Sequence, residues 1–331
     1  MKDIGTVPWI THPWVADGQH TVRFGVGLLD PWADWARCHD CVQMAEELGF
    51  DSYWTYDGPR YTADCWMTLA GLAVTTKTIR LGSAVSCYAF RNPALLARMA
   101  ADVDRWSQGR LILGLGIGDG PQTFAALGIP FASTPERQQP LEEALQVLVG
   151  VWGAPPFTFQ GQHYHVQQAM LSPGPVQQPR VPLLIAGGGE RVTLRQVAQY
   201  ADVANFGAHL GAGSAFRLED VVRKYAALRA HCEALGRPYE SVLRSYLTVL
   251  LVLAPTHRAL RDKLDAIPED VRTWSQPSLI SGLPHEVIAP YQALIDAEVQ
   301  YFIVAVWEND LETLQLLAQQ VVPVLRQTNQ G

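Results

Sequence analysis

The chain reads as an α/β protein with a (β/α)8 barrel, a TIM barrel in which eight parallel strands close on themselves. Three observations point there. Short apolar runs alternate eight times with amphipathic segments. Most runs are continuously apolar rather than alternating, as parallel strands covered on both faces require. Glycine and polar residues gather just past the runs, where such a barrel builds its functional loops. The 331 residues suit one large fold of this kind as well as two average domains, and the strand–helix order decides for the barrel.

The first strand is "RFGVGLL" (23–29), followed by a helix whose apolar stripe is Trp35, Cys38, Val42, Ala45 and Leu48, stopped at Gly49. "DSYWT" (51–55) is the second strand, with a helix over 64–75, and "IRLGSAV" (79–85) is the third. In "RNPALLARMAADVDRWSQGR", Asn92 caps a helix that opens with Pro93, carries Leu96, Met99, Val103 and Trp106 as its stripe, and ends at Gly109. "RLILGLG" (110–116) is the fourth strand. A long connection over 117–181 then stands out as an insertion. It holds a helix bearing Leu141, Leu145, Leu148 and Trp152, and a hairpin "FTFQGQHYHV" turning near Gln160 and Gly161. The remaining strands are "PLLIA" (182–186), "DVANF" (202–206), "SYLTVLLVL" (245–253) and "YFIVAV" (301–306), with helices over 191–200, 216–235, 284–297 and 309–325. We expect one domain over 1–331 with an N-terminal extension over 1–20.

Apolar residues at 48% and charged residues at 17% supply a core and exclude disorder. A net charge of -7 with scattered Lys and Arg lacks the footprint of a nucleic-acid binder. The first twenty residues contain no long apolar run, so neither a signal peptide nor a membrane span is expected, and the location expected is cytoplasmic. Five cysteines are an odd count that fits a reducing compartment. Cys38 and Cys41 fall inside a helical pattern with no second pair to complete a zinc site, and His163 and His165 lack nearby ligand spacing, so no metal is expected.

The chemistry should sit past the C-terminal strand ends. "LGLGIGDG" places glycines at 114, 116, 118 and 120, but Asp119 stands where a dinucleotide fingerprint needs its third glycine. Alternating glycines suit a flat ligand against the backbone, or a tight strand-to-loop turn. "AGGGERVTLRQ" lacks the ending of a triphosphate-binding P-loop. It still offers the N–H groups of Gly188, Gly189 and Glu190 at a helix start, where a phosphate is stabilised, with Arg191 or Arg195 adding charge; a plain helix start is the rival reading.

Taken in order, "CVQMAEELGFDSYWTYD", "WMTLAGLAVTTKTIRLGSAV", "RNPALLARMAADVDRWSQGRLILGLGIG", "FQGQHYHV", "PGPVQQPRVPLLIAGGGERVTLRQVAQYADVANF" and "VVPVLR" resemble the bacterial luciferase-like superfamily. Within it they look like the oxidoreductases that use the deazaflavin coenzyme F420. The resemblance runs from Arg23 to Arg326. It implies a flavin or deazaflavin at the mouth of the barrel, a homodimer, and a small organic substrate. It assigns the cofactor's phosphate to Gly187, Gly188, Gly189 and Glu190, and a non-prolyl cis peptide beside the ring to Ala84 and Val85. It places Gly116 and Gly118 against the ring and gives Asp57 and Asp119 as the catalytic acids; capping of its own loop is the rival role for Asp57. Many deazaflavin-dependent relatives carry histidine directly after the acid of the second strand, whereas this chain has Gly58. The missing titratable group must come from elsewhere, with Asp119, Tyr56, Tyr61, His209 and Glu308 as candidates by position.

The reading that follows is hydride transfer between F420 and a small organic substrate, in a pocket walled by Trp54, Tyr88, Phe90, Phe206 and Trp307. The alternatives are a monooxygenase using reduced FMN and dioxygen on the same scaffold, and a barrel that binds ligand without turnover. A phosphosugar aldolase or isomerase is weaker, because no lysine stands just past a strand end to form a Schiff base.

Overall fold

The eight apolar runs pair edge to edge into a closed parallel barrel. The computed structural model describes residues 9–29, 34–59, 63–118, 120–208, 213–308 and 310–328. The strands are β1 (Arg23–Leu29), β2 (Ser52–Thr55), β3 (Arg80–Ser83), β4 (Leu111–Gly116), β5 (Leu183–Ala186), β6 (Val203–Gly207), β7 (Leu243–Thr248) and β8 (Tyr301–Trp307). Each pairs in parallel with its neighbours in chain order, β8 pairs with β1, and the Leu81↔Leu111 and Gly82↔Ile112 register joins β3 to β4. Around them run α1 (Trp35–Glu47), α2 (Cys65–Thr75), α3 (Pro93–Trp106), α4 (Thr134–Trp152), α5 (Thr193–Tyr200), α6 (Leu218–Ala234), α7 (Pro284–Asp296) and a final helical run over 311–328. No described helix is long and apolar enough to cross a membrane.

The interior is packed. Trp54, Ile112, Leu184, Val203, Leu243, Tyr301 and Ile303 form one buried cluster inside the strands, while the outward faces pack on the helices as a larger second cluster. The Trp54 indole fits because its neighbours carry no side chain there: a Cβ at Gly82 would stand 2.3 Å from the ring, and one at Gly25 would stand 2.5 Å from Nε1. Its Nε1 donates to Ser52 Oγ at 2.7 Å, which satisfies the one polar group such a ring buries.

Several expectations are corrected. The segment over 117–181 contains the fourth helix of the ring itself: α4 buries Leu141, Leu145, Leu148 and Val151, and Trp152 Nε1 donates to Ala97 O on α3 at 3.1 Å. The hairpin is present as Phe157–Gln160 against His165–Ala169. Within the stretch expected as an N-terminal extension, the short helix Pro13–Asp17 joins the barrel's base by burying Trp14 and Val15. The Arg23 and Arg80 guanidiniums lie over the Trp14 ring, 5.0 and 4.9 Å from its centroid, and Trp14 meets Tyr301 edge-on. The run over 245–253 is two strands, because Leu250–Leu253 leaves the barrel and pairs in parallel with Leu279–Gly282. Trp35 and Trp106, placed on apolar stripes by their spacing, are exposed. All five cysteines are free and buried, Cys38 and Cys41 within α1, and burial pushes the Cys41 thiol up to about 12.

Candidate active site

At the C-terminal end of β3 the ladder hands over to a side chain. Ser83 Oγ donates to Gly114 O at 2.9 Å and accepts from Gly114 N at 3.0 Å. The Ala84–Val85 peptide that follows is cis, and pairing resumes when Ser86 and Cys87 register with Leu115 and Gly116. This excursion pushes Val85 across the barrel mouth. A Cβ on Gly116 would stand 2.8 Å from Val85 Cγ2 and 3.9 Å from Ala186 Cβ, so the ends of β3, β4 and β5 meet at one place. Gly118 is left-handed at φ 70, and a Cβ there would stand 2.7 Å from Phe124 and 2.9 Å from Cys87 Sγ. Arg137 of α4 donates to Ile117 O at 2.9 Å and also to Gly118 O, which fixes this turn from outside.

Asp57 follows β2 on the same rim and is 6% exposed. Its Oδ2 accepts from Arg91 Nη1 at 2.6 Å, while Arg91 Nη2 reaches Asp64 Oδ2 at 2.9 Å. Oδ1 is buried with no hydrogen-bond partner among the described residues, although the Cys87 backbone eases its charge. Burial raises the Asp57 carboxyl above its ordinary range, and Arg91 offsets only part of that. Burial works against the Arg91 charge, yet its hydrogen bond to Asp57 holds its pKa above the usual one.

Past β5 the glycine loop is held by its carbonyls. Gly187 spends its N–H on Asn205 O at 2.8 Å and so ends the strand. Gly188 O accepts from Lys224 Nζ at 2.7 Å, Gly189 O from Leu194 N at 3.0 Å, and Glu190 O lies 2.7 Å from His231 Nε2. A planar trans peptide points its N–H opposite to its C=O, so the N–H groups of Gly189, Glu190 and Arg191 face away from these partners. None of them is used in a hydrogen bond among the described residues. Gly188 is bare for a second reason: a Cβ there would stand 2.2 Å from Gly213 O. The Glu190 carboxylate pairs with Arg223 at 3.0 Å.

The predicted residues Asp57, Ala84, Val85, Gly116, Gly118, Gly187, Gly188, Gly189 and Glu190 thus lie on the rim formed by the C-terminal ends of β2 to β5. Asp119, Tyr61 and His209 lie outside the described residues. Tyr56 and Glu308 are exposed on the same rim, and a Cβ on Gly58 would stand 2.5 Å from the Tyr56 ring. Of the expected pocket walls, Phe206 faces the helices and packs on Tyr225, and Trp54 fills the barrel core. Phe90 stays near the mouth, 5.4 Å from Phe124. His163 and His165 are exposed, and no cluster able to hold a metal occurs among the described residues.

The sequence profile of the luciferase-like monooxygenases matches residues 11–298. The chain belongs to this family. The F420-dependent glucose-6-phosphate dehydrogenase of Kineococcus radiotolerans is 28% identical to this luciferase-like chain over 325 residues, covering 87% of it and 92% of the relative. The pyrimidine monooxygenase RutA of Allorhizobium ampelinum is 32% identical over 211 residues, covering 59% and 55%. The coenzyme F420 dependent tetrahydromethanopterin reductase from Methanopyrus kandleri shares the fold with a TM-score of 0.78 at 20% identity, over 92% of this chain and 99% of that one. As a luciferase-like protein the chain is an oxidoreductase, which sets aside the reading as a barrel without turnover.

Sequence reasoning missed Arg91, Lys224, Gly213 and His231. A signal for Lys224 was present: Val221, Tyr225, Leu228 and Cys232 form the buried stripe of α6, and Lys224 stands within it. Arg91 had no such mark, because its partner is distant in the chain.

Proposed function

We propose that the chain transfers hydride between coenzyme F420 and a small organic substrate at the C-terminal mouth of its barrel. One observation carries the proposal: among the described residues the N–H groups of Gly189, Glu190 and Arg191 are unspent, on the rim that also holds the buried Asp57 carboxyl. Successive backbone donors at a helix start suit a phosphate ester. These three donors would hold the cofactor's phosphate. Val85, which fills the space that a side chain on Gly116 would take, would bear its ring. When bound, the coenzyme supplies the ring carbon that takes or gives the hydride.

The chain's own part is to orient and to manage a proton. Arg91 fixes Asp57 through Oδ2 and leaves Oδ1 to accept a hydrogen bond or hold a proton, a role made easier by the raised pKa of the carboxyl. Asp119 remains a second candidate on the resemblance alone. Val85 and Phe90, both half-buried, line the approach with apolar surface and keep water from the reacting groups, and the buried Phe124 backs Phe90.

A reduced-FMN monooxygenase is the second reading, favoured by the likeness to the pyrimidine monooxygenase. Titrating the purified protein with F420 and with FMN, read by fluorescence, separates the two. Tight FMN binding with no F420 binding overturns the first reading.

We also propose a homodimer acting in the cytoplasm. The helix α2 contains no charged residue and exposes Met67 and Val74, with the exposed Trp35 lying over its Gly71. Five free buried cysteines suit a reducing compartment.

A further inference from the structure

Lys224 is a charged group in the wrong half of its helix. It is 4% exposed and stands among the apolar residues by which α6 packs on the barrel. A methionine there would fill similar space without the cost of burying an ammonium, and buried charges persist where something holds them. Lys224 Nζ donates to Gly188 O at 2.7 Å, while its nearest carboxylate, Glu190 Oε1, is 3.8 Å away and already paired with Arg223. The main partner of the ammonium is therefore a backbone carbonyl.

We propose that Lys224 is a positioning residue for the cofactor's phosphate: it pins the Gly188–Gly189 peptide by its carbonyl, so that the Gly189 N–H is aimed at the anion. This rests on the functional reading above. A second contact supports it. Gly213 lies over the face of the same peptide, since a Cβ there would stand 2.4 Å from Gly189 N and 2.5 Å from Gly188 C. The peptide is thus held at its carbonyl edge by Lys224 and on its face by Gly213, and only the N–H edge is open among the described residues. Without Lys224 the Gly188 carbonyl loses its partner, and the peptide gains by turning that carbonyl toward water. A turned peptide presents its negative end where the phosphate sits.

The test compares cofactor forms with and without the phosphate: F420 against its phosphate-free deazaflavin chromophore, and FMN against riboflavin. Binding is read by fluorescence for the wild type, Lys224→Met, Lys224→Gln and Lys224→Arg. The wild type prefers the phosphorylated form. In Lys224→Met the phosphorylated form weakens by about 10- to 100-fold, the value of a charge-assisted hydrogen bond. The phosphate-free form stays within about twofold. Lys224→Arg and Lys224→Gln keep an N–H donor and retain part of the preference. If Lys224→Met fails to fold, Lys224→Gln carries the comparison: its shorter neutral donor should lower the preference for the phosphorylated form, and a preference equal to that of the wild type overturns the role. Equal weakening of both forms, or an unchanged preference in Lys224→Met, overturns the role of Lys224. A wild type that binds neither phosphorylated form overturns the functional reading as well.

Discussion

Arg91 bridges two carboxylates of unequal burial, with Nη1 2.6 Å from Asp57 Oδ2 and Nη2 2.9 Å from Asp64 Oδ2. Asp64 caps α2 by accepting from Trp66 N and Met67 N, so one guanidinium ties a rim carboxylate to a helix start. The orientation of Asp57 is thereby inherited from the scaffold.

Removing that guanidinium should be costly. Arg91→Leu strands the Asp57 carboxylate and should destabilise the fold by about 3–5 kcal/mol near neutral pH, as breaking a buried pair does. The pH dependence has a definite sign. The folded-state pKa of Asp57 is raised by burial, so its contribution to stability falls as pH rises from the ordinary carboxylate range through that raised value. Loss of Arg91 raises it further, and urea unfolding should show a smaller penalty at pH 5 than at pH 8. Equal penalties at both would contradict this account.

Gly118→Ala tests the turn after β4. The residue is left-handed, and its added methyl meets Phe124 and Cys87. We expect a loss of about 1–3 kcal/mol from the backbone conformation and overpacking together. Cofactor affinity should fall as well, and calorimetry with F420 on the folded fraction would reveal it.

Glu143 governs the hairpin beside the mouth. Its carboxylate accepts from the N–H groups of Gln162, His163 and Tyr164 at 2.7, 2.8 and 3.0 Å. Burial opposes the charge, but those donors hold its pKa below the usual value. The stabilisation is therefore full above the ordinary glutamate range and fades as pH falls through the depressed value. Hydrogen exchange over 162–164, corrected for intrinsic rates, should quicken in that acid window, and Glu143→Ala should show fast exchange at every pH.

Met67→Glu combined with Val74→Glu tests the dimer. Both side chains are exposed on α2, so the monomer should keep its melting temperature within a few degrees. Sedimentation should show the apparent mass halved at a concentration where the wild type is paired. An unchanged mass would remove α2 from the interface.

The barrel was legible because parallel strands buried on both faces are apolar throughout, and most of the eight runs carry that mark. The same property hid the break at Val249: "SYLTVLLVL" is apolar on both sides of it, with no turn residue to show that Leu250–Leu253 departs to another sheet. Spacing put Trp35 and Trp106 on apolar stripes but says nothing about whether a stripe has a partner within the chain. The glycines past β4 and β5 were readable because a missing side chain is a local fact. Why Gly188 is bare depends on Gly213, and the reach of Arg91 to Asp57 depends on the loop after Cys87, and neither pairing has a local signature.

Trp14, buried at the foot of the strands with two guanidiniums over its ring, acts as a stopper. With the base closed and the strand interior filled above it, the loops past the C-terminal strand ends are the one face left to be remodelled for a new ligand, and substitutions at the foot would change stability without changing what is bound.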